Sequence, residues 1–135
     1  MIDPATAQRL LEENFAPWVR ALRPEVTRID AEATILEIPV TDEIARVGGI
    51  VCGQALATLA DTTMVLACAG QAGDFSPVAT TTLETRFLSA ARGTSVRCTA
   101  QVIRAGRRLV FAEARLTDLP GDKPVAAASA TFMRP

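Results

Sequence analysis

The chain has 135 residues and a formal net charge of −1, with a hydrophobic fraction of 49% and aromatics at only 4%. That length fits one domain with a self-sufficient core, and the balanced charge removes the electrostatic case for nucleic acid or an anionic membrane as partner. Histidine is absent, so Ser-His-Asp and Cys-His nucleophile systems, the HExxH zinc helix and histidine proton shuttles are all excluded.

The N-terminus, Met1-Ile2-Asp3-Pro4, lacks the basic start and apolar run of a signal peptide. Asp3 followed by Pro4 instead reads as a helix cap and first helical position, opening a helix over about 4–16. Leu11, Phe15, Trp18, Val19 and Leu22 form an apolar stripe at helical spacing, disturbed by Pro17. Residues 32–40 then change to period two, with Leu36, Ile38 and Val40 on one face of a strand. A loop over 42–49 leads into a long helix from Gly53 to about Ala69, ~26 Å at 1.5 Å per residue. Four strands are expected after it, over about 80–88, 96–102, 110–116 and 125–133. Ala105-Gly106-Arg107 and Pro120-Gly121-Asp122 are the turn signals between the last three. The cysteines, Cys52, Cys68 and Cys98, are odd in number and widely spaced, which argues against a disulfide framework or a zinc site and suits a reducing cytoplasm. The order predicts one α+β domain over 1–135, with no linker or repeat.

Between Arg46 and Asp74 the only charged side chain is Asp61, on a helix that is otherwise nearly apolar all round. Such a helix is buried on most sides, and a sheet curling around it would meet it from several directions. Asp61 shares a face with Gln54, Ala57, Thr58, Val65 and Cys68. Three readings stand for it: an acid facing solvent, a packing element bonded to threonines, or a carboxylate in a site opening to water. Gly48, Gly49 and Gly53 bracket the helix start, where backbone N–H groups lack acceptors and glycines permit close ligand approach. Such donors can hold an oxyanion, and an ordinary glycine-rich turn is the alternative. No Gly-Lys-Ser/Thr follows, so the segment is not a phosphate loop. Cys52 is either a thiol activated by the helix N-terminus or a small packing residue.

Gly49-x-x-Cys52-Gly53-Gln54-x-x-x-x-Leu59-Ala60-Asp61 resembles the G-x-x-H-G-G-x-x-x-x-L-A-D signature of hotdog-fold acyl-CoA thioesterases of the PaaI type. The likeness extends to the Thr-Thr-x-Leu-x-x-x-Phe-Leu run at 81–88 and to Gly-Arg-Arg ahead of an alternating strand. The resemblance implies a hotdog fold: a long central helix wrapped by a curved antiparallel sheet of five to six strands, in dimers or dimer-of-dimers tetramers. It implies hydrolysis of a small or medium acyl-CoA, aliphatic or aromatic, with no cofactor beyond the coenzyme A of the substrate and no metal. Asp61 would then be nucleophile or general base, and Gly53 with Gln54 the oxyanion donors. Thr80 or Thr81 would come from the second subunit. Arg46, Gly49 and Cys52 would line the substrate, with coenzyme A phosphates near Arg92, Arg107 and Arg108, while Phe15, Trp18 and Met64 are candidates for closing an acyl pocket. Cys52 stands where the family carries histidine, Gln54 where it has a second glycine, and Arg46 where asparagine is frequent. Those departures support an alternative, a non-catalytic hotdog protein that binds an acyl-CoA or related ligand.

Overall fold

A computed structural model describes residues 1–135. The chain opens on α1 (Pro4–Asn14), whose first turn is capped by Asp3: its carboxylate accepts from the Thr6 N–H at 2.8 Å. The helix ends at Asn14 rather than 16, because Pro17 starts a separate short helix, α2 (Pro17–Arg20). β1 (Glu25–Ile29) follows and pairs with β2 (Thr34–Pro39). β1 carries no period-two pattern and so gives no strand signal in the sequence. A bulge between Val26 and Arg28 puts the buried Val26 and Ile29 three residues apart.

The expected loop over 42–49 contains a small hairpin, β3 (Ala45–Arg46) and β4 (Ile50–Val51). Gly49 N–H donates to the Arg46 carbonyl at 3.0 Å with Gly48 at φ +88°, the arrangement of a type II turn. The long helix α3 (Gly53–Ala72) runs one turn beyond its expected end and stops at Gly73, which is left-handed and donates to the Ala69 carbonyl. β5 (Ala79–Phe87), β6 (Ser95–Ala105), β7 (Leu109–Leu119) and β8 (Lys123–Met133) complete a six-stranded antiparallel sheet. Its order is β1-β2-β6-β7-β8-β5. β6, β7 and β8 form the expected meander, but β5 crosses to the far side of β8, because α3 carries the chain across the sheet's inner face.

That inner face shows why the composition is so rich in alanine. Val96, Cys98 and Ala100 of β6, Ala112 and Ala114 of β7, and Ala126, Ala128 and Ala130 of β8 are all buried. Small side chains there let the sheet approach α3, whose own buried residues include Leu56, Leu59, Met64 and Leu66. α3 also meets backbone closely at Gly70, where an added Cβ would sit 2.8 Å from both the Asp30 carbonyl oxygen and Ile29 Cγ1. Alanine at 70 gains ~1 kcal/mol of helix propensity, but overpacking against backbone costs ~1–3 kcal/mol. Gly70→Ala should therefore lower the melting temperature by a few degrees; an unchanged or higher midpoint in thermal denaturation would contradict this packing.

β5 is the outer strand on one side of the sheet, and nearly all its residues are exposed. Leu83 and Phe87 are open to solvent along an edge whose backbone groups have no partner strand. Such an edge calls for cover.

Candidate active site

Asp61 lies on the one stripe of α3 that the sheet leaves uncovered, with Gln54, Thr58 and Val65 on the same face. It is half-buried, and Thr80 Oγ1 donates to its Oδ1 at 2.9 Å. Burial raises the Asp61 pKa above the usual carboxylate value, and the Thr80 hydrogen bond offsets part of that rise. The result is a carboxylate held in one orientation and more basic than an exposed aspartate.

The strand geometry explains why Thr80 and not Thr81 fills this role. The β5–β8 register shifts between Thr80 and Thr82, so Thr81 is an extra, bulged residue. Thr81 Oγ1 turns the other way and donates to the Thr131 carbonyl at 3.1 Å. Within a run of three threonines nothing in sequence marks which one the bulge re-aims. Within one chain Thr80 bonds to its own Asp61, in addition to the role in a second subunit's site that the resemblance implies for Thr80 or Thr81.

Valine at 80 keeps the shape of threonine and removes the donor. A carboxylate can act as a base only when ionised, and the lost hydrogen bond favoured the ionised form of Asp61. Thr80→Val should therefore raise the Asp61 pKa further, and with Asp61 as catalytic base it should move the acid limb of the kcat/KM profile to higher pH and lower the plateau by about 10-fold. A profile superimposable on wild type would show that Thr80 does not tune Asp61.

The second component is the start of α3. Val51 N–H donates to the Ala91 carbonyl at 3.0 Å and Cys52 N–H to the Ile44 carbonyl at 2.8 Å, fixing the chain as it enters the helix. No side chain caps the helix, so the N–H groups of Gly53, Gln54 and Ala55 have no intrahelical or side-chain acceptor. The Phe87 ring lies against Gly53, where an added Cβ would come within 3.1 Å of Cζ. Of the three donor residues only Gly53 lines a cavity of about 340 Å³, together with Arg46, Leu56, Phe87 and Leu88 among others. Gly49, at φ +72°, shapes the turn and does not line that cavity.

Cys52 and Gln54 face a different cavity, of about 220 Å³, with Trp18, Leu22 and Ile44. Trp18 is exposed, Phe15 packs against the core edge and Met64 is fully buried. Of the three aromatic or sulfur side chains expected to close an acyl pocket, only Trp18 lines either of these two cavities, and it lines the smaller one. Burial pushes the Cys68 thiol up to about 11 and Cys98 to about 12, which makes both poor nucleophiles.

The arginines assigned to phosphates do not come together within one chain. Arg92 donates through Nη1 to the Gly48 carbonyl at 2.8 Å, and its backbone N–H donates to the buried Asp118. It thus braces the turn before α3. Arg107 and Arg108 sit in the β6–β7 turn, at the opposite end of β7 from Asp118, ~33 Å along a strand of 11 residues.

One spacing controls what the site can do. Asp61 follows Gly53 by eight residues in a continuous helix, so the carboxylate and the free amides of one chain are ~12 Å apart along its axis. A single thioester carbonyl cannot reach both. A second chain, related by a two-fold axis, can bring its own amides to Asp61.

The long helix held in a curved six-stranded antiparallel sheet, with one carboxylate on its open face, defines a hotdog fold. The chain belongs to the thioesterase superfamily, whose family model matches residues 48–125, more than half of it. Among solved structures it is similar to a conserved protein of Pseudomonas aeruginosa, at 28% identity and TM-score 0.82 over 92% of this chain and 98% of that one. A protein of the thioesterase superfamily superposes with TM-score 0.86 at 26% identity, covering 96% of each chain. The E. coli PaaI protein from the phenylacetic acid degradation operon has the same fold, with TM-score 0.84 at 20% identity over 98% of this chain and 93% of that one. No curated protein matches the sequence.

Proposed function

We propose that this protein hydrolyses acyl-CoA thioesters as a two-fold symmetric dimer or a pair of such dimers. The observation that carries the reading is the half-buried Asp61, raised in pKa and held by Thr80, on the same helix as a set of uncapped amides. Asp61 accepts a proton from water as the water oxygen adds to the thioester carbonyl carbon. The developing oxyanion is taken up by the Gly53 and Gln54 N–H groups of the second chain. Collapse of the tetrahedral intermediate breaks the C–S bond, and the departing thiolate takes the proton from Asp61. The products are a carboxylic acid and coenzyme A, with no cofactor consumed. Direct attack by Asp61 through an anhydride uses the same groups.

A cavity of about 340 Å³ suits a small or medium acyl group, aliphatic or aromatic. The exposed edge strand β5, with Leu83 and Phe87 along it, supports pairing of two copies. The test is thiol release from a panel of aromatic and aliphatic acyl-CoAs. Turnover that depends on Asp61 supports hydrolysis. Cys52, at the position where the family has histidine, favours a second reading: a hotdog protein that binds acyl-CoA without turning it over. Tight binding with no thiol release across the panel would select that reading.

A further inference from the structure

The cavity at the start of α3 has one charged lining residue, Arg46; the others are uncharged and mostly apolar, Leu56, Phe87, Leu88 and Ala91 among them. Arg46 takes part in none of the molecule's ion pairs, which engage Arg28, Arg86, Arg97 and Lys123. Its side chain makes no hydrogen bond either, whereas Arg92 nearby is committed to the Gly48 carbonyl. The base of Arg46 is nevertheless fixed. It stands opposite Ile50 in the β3–β4 hairpin, and that hairpin is tied down through Gly48, Val51 and Cys52. Arg46 is exposed to solvent, and its guanidinium, on a fixed stem at the edge of apolar walls, is free to receive an anion.

The thioester carbonyl is not that anion, since the helix-start amides already meet it. The phosphates of coenzyme A are about a dozen bonds from the sulfur and, with the carbonyl at Gly53, reach beyond a cavity of this size. Gly53 and Arg46 line the same cavity, whose volume of about 340 Å³ has room for a short acyl group.

We propose that Arg46 binds an anionic group at the far end of the acyl chain, so that the preferred substrates are half-thioesters of short dicarboxylic acids. This rests on the hydrolase reading for the word substrate, but the recognition itself needs no turnover. A carboxylate a few atoms beyond the carbonyl would receive two parallel N–H bonds from the guanidinium, while the intervening methylenes lie against Leu56 and Phe87. Neutral acyl groups of equal length would leave the arginine without a partner.

The experiment is titration calorimetry with two non-hydrolysable thioethers, S-(3-carboxypropyl)-coenzyme A and S-butyl-coenzyme A, and with the same two groups on pantetheine. Wild type should bind the carboxylated member of each pair about 10- to 100-fold more tightly. The ratio should fall to near one in Arg46→Gln and stay intermediate in Arg46→Lys, which keeps the charge without the fork. Equal affinities in wild type, or a preference that survives Arg46→Gln, would overturn the proposal. A loss confined to the coenzyme A forms and absent on pantetheine would mean that Arg46 reads a phosphate, and would overturn it too. So would equal weakening of both members, which would place the arginine beside the second copy's Asp61. Should Arg46→Gln fail to fold, the wild-type and Arg46→Lys ratios still decide. A wild type that shows the preference but hydrolyses nothing would sink the hydrolase reading and leave this one standing.

Discussion

Asp61→Asn should abolish thiol release, lowering kcat by at least about 100-fold and up to about 10,000-fold, with fold and oligomeric state retained. Asparagine keeps the size of the side chain, and its carbonyl oxygen can still accept from Thr80, which donates to Oδ1 in the native site. What it loses is the ability to take a proton. The same substitution should leave stability at neutral pH unchanged or raise it. Burial raises the folded-state pKa of Asp61 above its ordinary 3.8, so the folded chain binds a proton more tightly than the unfolded chain does. Any stability from this group is fully present below the ordinary value and is lost as pH rises through the folded value. At pH 7 the native protein therefore carries a desolvated carboxylate, and the neutral amide removes that cost. Steady-state kinetics paired with thermal melts would show inactivity with a midpoint no lower than wild type, the pattern of a group kept for chemistry. Full activity in the variant would end the case for Asp61 as base.

The long helix and its single carboxylate were legible in the sequence because both are signals of contrast. An apolar run of this length with one charge has few folded solutions, and Gly73 supplies the stop. The meander strands β6, β7 and β8 were legible for a related reason, since one face of each is buried and the alternation runs over several successive residues, as in the sequence Val96, Cys98, Ala100. β1 was hidden by its bulge. The β3–β4 hairpin was hidden by its length, with two residues per strand. At the site, the choice between Thr80 and Thr81 depends on a register shift that only the pairing of β5 with β8 reveals. The arginines are a different case. The resemblance implied phosphate contacts for Arg92 and Arg107, but their charge in the sequence carries no information on position. Pairing shows them at opposite ends of β7, with Arg92 already committed. Arg46, noted as a departure from the family pattern, is the one that meets the cavity.

Mixing two inactive variants should restore activity if the site is shared between chains. Gly53→Pro is the second variant to make. Gly53 is the first residue of α3, where proline's fixed φ is compatible with a helix and its missing N–H removes no helical hydrogen bond. The preceding residue, Cys52, already has φ −67° and ψ 149°, the extended conformation that proline demands of its neighbour. The ring would meet Phe87, since a Cβ at 53 lies 3.1 Å from Cζ, so Phe87→Ala belongs in the variant and in its control. Loss of one oxyanion donor should then cost about 100- to 1,000-fold in kcat. Neither this variant nor Asp61→Asn would turn over substrate alone. When the two chains are unfolded and refolded together, each mixed dimer would hold one site with Asp61 from the proline variant and an intact Gly53 amide from the other chain. Its second site would lack both groups. Random pairing makes about half the dimers mixed, so about a quarter of wild-type activity should return. The ~12 Å between Asp61 and Gly53 on one helix forces this outcome if both groups act on one carbonyl. A mixture as inactive as its components, with mixed dimers demonstrated by native mass spectrometry, would mean that one chain builds the whole site and that the amides at Gly53 do not hold the oxyanion.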